Sequence, residues 1–180
     1  MPSPCDPQYA PVGDVGAALM MIDSRLKQID GGKTDPDPEQ QAMIDQYIDS
    51  LGPEGADELL DGACTLIFMF MQWLRAAYTD HDKDVIEYVV PNLVATMRMM
   101  PKSFPPEVIP TMSGLVVAAG TGLSPNLWRR QYGDWTEEEL TPLEGTTFLL
   151  AEHINRITDD RDFATRMVAN ALSAADGDED

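Results

Sequence analysis

The run Gly62-Ala63-Cys64-Thr65-Leu66-Ile67-Phe68-Met69-Phe70-Met71-Gln72-Trp73-Leu74 is the most apolar in the chain and limits its fold more than any other stretch. Ala56, Leu59, Leu60, Ala63, Ile67, Phe70, Met71, Leu74 and Tyr78 recur at helical spacing through and beyond it. That spacing places them on one stripe of a helix. The opposite face starts polar at Glu58, Asp61 and Thr65, turns apolar at Phe68 and Met69, and is polar again at Gln72 and Arg75. Such a helix needs neighbours on several sides. Pro53 suits a first helical turn, and Asp57 and Glu58 complement the positive end of its dipole. A membrane span needs ~20 apolar residues. This run is shorter and is bounded by Asp61 and Arg75. The expectation is a central core helix near 54–78.

Further stripes on both sides extend the pattern. Val15, Ala18, Leu19, Ile22, Leu26 and Ile29 follow Asp14 as a candidate N-cap and stop at Gly31-Gly32. Asp37-Pro38-Glu39-Gln40 opens a second stripe through Met43, Ile44, Tyr47, Ile48 and Leu51. After the central helix come Val85, Ile86, Val89, Val90, Leu93, Val94 and Met97, with Pro91 inside and a kink expected there. Ile109, Met112, Val116 and Ala119 form the next stripe, up to Gly120-Thr121-Gly122. Ser124-Pro125 opens a short helix through Trp128 and Arg129, closed by Gly133-Asp134. Thr136-Glu137-Glu138-Glu139 and Thr141-Pro142-Leu143-Glu144 match the capping box. The second leads the stripe Leu143, Thr147, Leu150, Ala151, Ile154 and Ile157. Asp159-Asp160 precedes a last helix with Phe163, Met167, Val168, Ala171 and Leu172 inward. No run alternates with period two for long. The chain therefore reads as an all-α, single-domain bundle of about seven helices plus one short helix, with turns of the length usual in bundles. Residues 1–11 are expected to be a disordered Pro-rich arm, 12–175 the helical domain, and 176–180 a disordered acidic tail.

The formal net charge is −19 over 180 residues, Asp outnumbers Glu, and Lys is scarce. Phosphate binding needs clustered Lys and Arg, so direct contact with nucleic acid or an anionic membrane is not expected. Such acidity fits solubility, high salt, or a mimic of nucleic-acid charge. Two cysteines, Cys5 and Cys64, make no disulfide framework, and Cys64 lies where a thiol behaves as a small hydrophobe. The first residues lack the basic and apolar regions of a signal peptide, so the expectation is a reduced, cytoplasmic protein.

Chemistry-bearing patterns are sparse. Asp80-His81-Asp82-Lys83-Asp84 is the densest set of metal-ligand types, with His81, Asp82 and Asp84 as the candidate ligands. Its His-Asp pair resembles metal phosphohydrolases of the HD type, whose additional histidines have no counterparts here. A zinc site draws three or four ligands, and His153 is the only other histidine. A solvated turn whose acids cap the following helix accounts for the same residues. Glu152 and His153 point about 100° apart on a helix and cannot share a site. There is no Gly-x-Ser-x-Gly, and Gly120-Thr121-Gly122 lacks the Lys-Ser/Thr of a phosphate loop. No catalytic residue, metal or cofactor is expected.

One segment stands apart. Trp128-Arg129-Arg130-Gln131-Tyr132-Gly133-Asp134-Trp135 holds two of the three tryptophans and the only adjacent basic pair. Trp, Tyr and Arg dominate the energetics of protein interfaces. Trp128, Arg129, Arg130, Tyr132 and Trp135 are therefore the candidate partner-binding residues, with both arginines expected outward and at least one tryptophan partly exposed. The first functional expectation is a non-catalytic helical protein that binds an unidentified protein as adaptor, regulator or assembly factor. An acidic nucleic-acid mimic that inhibits a DNA-binding protein is the alternative, and a small metal-dependent hydrolase using the His81 turn is the third. Homo-oligomerisation through Met97, Met99 and Met100 is a further possibility if these are exposed.

Overall fold

Capped stripes of apolar residues separated by short turns can bury their apolar faces only against one another, and they do so here as an all-α helical bundle. The computed structural model describes residues 18–20, 22, 60, 62–133 and 136–177. Among them there is no strand. The helices are α1 (62–79), α2 (Val85–Arg98), α3 (Ile109–Gly120), α4 (Pro125–Arg130), α5 (Leu140–Thr158) and α6 (Phe163–Gly177). Single 3-10 turns at Pro106–Val108 and Glu137–Glu139 lead into α3 and α5. Residues 18–20 and 22 are also helical. The rest of the two N-terminal stripes, the expected 1–11 arm and the expected start of the central helix near 54 lie outside the described residues.

α1 is a large contributor to the core. Cys64, Leu66, Ile67, Phe70, Met71 and Leu74 are fully buried, and Phe68, Met69 and Trp73 on its other sides are half-buried against the same cluster. Neighbours therefore surround its middle turns. The Gln72 side chain donates to the Ala119 carbonyl at 2.7 Å, tying α1 to α3.

Local chemistry sets where the other helices start and stop. Asp84 accepts from the Ile86 amide at 2.9 Å and caps α2, which buries Val85, Val89, Leu93 and Met97 at four-residue intervals. That helix continues through Pro91 on its exposed side. α3 ends in a Schellman motif. Gly122 adopts φ 90° while its amide reaches Ala119 O at 3.1 Å, and the Leu123 amide reaches Ala118 O at 2.9 Å. Ser124 caps α4 through the Leu127 amide at 3.2 Å. α5 starts at Leu140, so Thr141 lies inside the first turn and does not cap it. Asn155 pins the α5–α6 turn by donating to Arg161 O and accepting from the Ala164 amide, both at 2.8 Å. α6 runs to Gly177, past the boundary expected at 175, and residues 178–180 lie outside the described residues. Among the described residues, no helix is long and apolar enough to cross a membrane.

Candidate interaction site

A helix of six residues is too short to hold itself together, so α4 must lean on the bundle. It does so through Trp128, whose ring packs closely against Gly114 in α3. A Cβ at position 114 would stand 2.3 Å from the Trp128 Cη2. Only glycine admits the ring there. Pro125 and Asn126 are buried beside it, while Leu127 points out.

Arg129 overturns one expectation. It does not face outward: it is 5% exposed and lies under the segment. Its Nε donates to Glu139 Oε2 at 2.8 Å, its Nη2 to Glu139 Oε1, and its Nη1 to the Gly133 carbonyl at 2.9 Å. The reason is Glu139, ten residues later, which the 3-10 turn presents as a bidentate partner. The Thr136 amide and hydroxyl also bond to Glu139 Oε1, at 3.2 and 3.1 Å. This is the reach-back half of the capping box visible in the sequence. Burial would raise the Glu139 carboxyl, but the bonds from Arg129 and Thr136 and the guanidinium charge outweigh it and hold its pKa below the ordinary value.

Above this pair opens a cleft of about 500 Å³ between α4, the start of α3 and the 137–139 turn. Trp128 and Tyr132 line one side with ring centroids 5.2 Å apart and planes tilted by 59°. Trp128 is half-buried, and Tyr132 is 70% exposed. Glu107, Pro110 and Thr111, from the start of α3 and the turn before it, also line the cleft, as does Glu138. Of the five sequence candidates, Trp128 and Tyr132 meet in the cleft and Arg129 is part of its floor. The Arg130 side chain and Trp135 lie outside the described residues. Glu139 was missed as a site residue because its capping role already accounted for it. Glu107, Pro110 and Thr111 carry no sequence signal linking them to α4.

The other candidates separate. The His81 turn is exposed, and Asp82 adopts the left-handed region at φ 58°. Asp84 serves as the α2 cap. Among the described residues, no group of three or more His, Cys, Asp or Glu is arranged to hold a metal ion. The methionines do not form one surface: Met97 is buried, Met100 half-buried and Met99 82% exposed.

A second groove, about 370 Å³, runs between α2 and α5 with Val89, Leu93 and Leu149 among its apolar lining. His153 sits in its wall and shares a 3.1 Å hydrogen bond with the Tyr78 hydroxyl, a pairing across 75 residues. Burial, then the nearby Arg156 charge, lowers the His153 pKa from its ordinary 6.5, with Glu152 opposing. Neutral imidazole is thus the favoured form at neutral pH.

Compared with protein-family models, curated proteins and solved structures, the chain finds no match.

Proposed function

We propose that this chain is a non-catalytic helical binding module that engages a partner protein through the Trp128–Tyr132 cleft. The observation that carries this reading is the aromatic wall: a tyrosine 70% exposed, packed at a tilt beside a half-buried tryptophan, on a floor fixed by a buried bidentate ion pair. An exposed aromatic beside a concave surface is the usual anchor of an interface, because a large rigid ring buries much area at little entropic cost. The rigid floor supports this, since preorganised surfaces lose less on association. A reducing, cytoplasmic setting is consistent with the buried Cys64 thiol.

The test is site-specific photo-crosslinking in the source cells. A photoreactive amino acid at position 132 is expected to yield one dominant adduct that is abolished by Trp128→Ala. The same group at position 99, more exposed than position 132 and outside the cleft, is expected to yield none. Equal crosslinking from both positions removes the reading.

A further inference from the structure

Resting on that reading, we infer that the cleft accepts an arginine side chain from a basic segment of the partner. Four observations converge on a planar cation. Trp128 and Tyr132 line one wall as a tilted aromatic pair, and the Tyr132 ring is 70% exposed. Aromatic faces attract cations, guanidinium more often than ammonium. Glu107 and Glu138, both exposed, stand on the rim. The ion pairs among the described residues are Arg129–Glu139, Arg156–Glu152 and Arg166–Asp160, and neither rim acid belongs to one.

The floor adds no competing charge. Arg129 is the one described cation lining the cleft, and its guanidinium is matched by Glu139 at buried, bidentate geometry. The pair cancels at a distance, so among the described side chains lining the cleft the two rim carboxylates carry the net charge. The chain as a whole carries −19, so a basic segment is steered toward it and an acidic one is repelled.

Arginine fits better than lysine for a geometric reason. A guanidinium is planar, so it can stack on the Tyr132 face while its edge donors reach a carboxylate. Lysine offers a strongly hydrated point charge that cannot do both. Nucleic acid is excluded as occupant by the same field that favours arginine.

The test uses the full chain, isotopically labelled, with short blocked peptides as probes: acetyl-Gly-Arg-Gly-amide, its lysine version and its citrulline version. Amide shifts are followed at low ionic strength. The arginine peptide is expected to bind at least about fivefold tighter than the other two and to shift Tyr132 and Glu107. Glu107→Gln/Glu138→Gln and, separately, Tyr132→Ala are expected to weaken it by about tenfold and about threefold. Glu87→Gln/Asp162→Asn removes the same charge from exposed acids outside the cleft and is expected to leave affinity within about twofold. All substituted residues are exposed, and far-UV circular dichroism verifies that each variant folds.

Equal binding of the lysine peptide, equal binding of the citrulline peptide, or equal weakening by the distal pair each overturns the inference. If that happens while the position-132 crosslink persists, the interface reading stands without its arginine. If the crosslink also fails, both fall.

Discussion

Replacing Glu139 with alanine removes the bidentate partner of the Arg129 guanidinium, which is 5% exposed and also donates to the Gly133 carbonyl. Breaking a buried pair by removing one member costs about 3–5 kcal/mol, because the remaining charge loses its countercharge while still desolvated. The two Thr136 bonds to Oε1 are lost as well, at ~1 kcal/mol for a capping interaction. The adjoining cleft lets water reach the pair after some rearrangement, so the total is expected at about 3–5 kcal/mol rather than above it. At ~2–4 °C per kcal/mol for a chain of this size, Tm should fall by roughly 6–20 °C. Urea denaturation gives the free energy and scanning calorimetry the Tm. The double variant Arg129→Met/Glu139→Leu removes both charges and fills similar space, and should recover most of the loss. The pH dependence has a defined sign. The folded Glu139 pKa is below its unfolded value, so its contribution is present above the ordinary carboxylate range and disappears as pH falls through the folded pKa. The gap between the parent chain and Glu139→Gln should therefore narrow in acid. A loss under about 1 kcal/mol for Glu139→Ala is what an exposed pair gives, and would falsify the buried assignment.

Three further outcomes are expected. Gly114→Ala should destabilise by about 1–3 kcal/mol despite the better helix propensity of alanine, because the new methyl displaces the Trp128 ring; unchanged stability and unchanged tryptophan emission would refute the packing. For His153 the folded pKa is lowered, so the unfolded chain takes up the proton first and its contribution to stability declines as pH drops below about 6.5 toward the folded value; His153→Gln should flatten that part of the stability–pH curve, and an identical curve would contradict the burial argument. Cys64 is fully buried, so a thiol reagent should label it only at the rate of unfolding, and rapid labelling in native buffer would show the α1 core to be open.

Much of the fold was legible in the sequence because helices are specified locally. The acids of the 80–84 turn read as caps of the next helix, and Asp84 is the one that caps it; Ser124-Pro125 reads as a helix start, and Ser124 caps that helix. The stripes Val85–Met97 and Ile109–Ala119 face inward as their spacing dictates. The candidate site was legible only as a location. The composition of 128–135 marks an unusual surface, and Trp128 with Tyr132 does line a cleft there. Yet α4 is short, and successive residues on it diverge by about 100°, a rule that forbids all of them facing inward without choosing which one does. Exposure of charge was the default for Arg129, and it fails when a carboxylate can be delivered to the interior. Glu139 is so delivered, across a turn that the sequence shows only as a capping box.

By itself, then, the chain determined its all-α class and several of the caps that start its helices, since each depends on contacts within about four residues. Tertiary structure alone decided the burial of Arg129, the seating of Trp128 on Gly114, and the joining of Tyr78 to His153. Those outcomes depend on which distant group is near enough to replace lost water, and spacing along one helix carries no information about that.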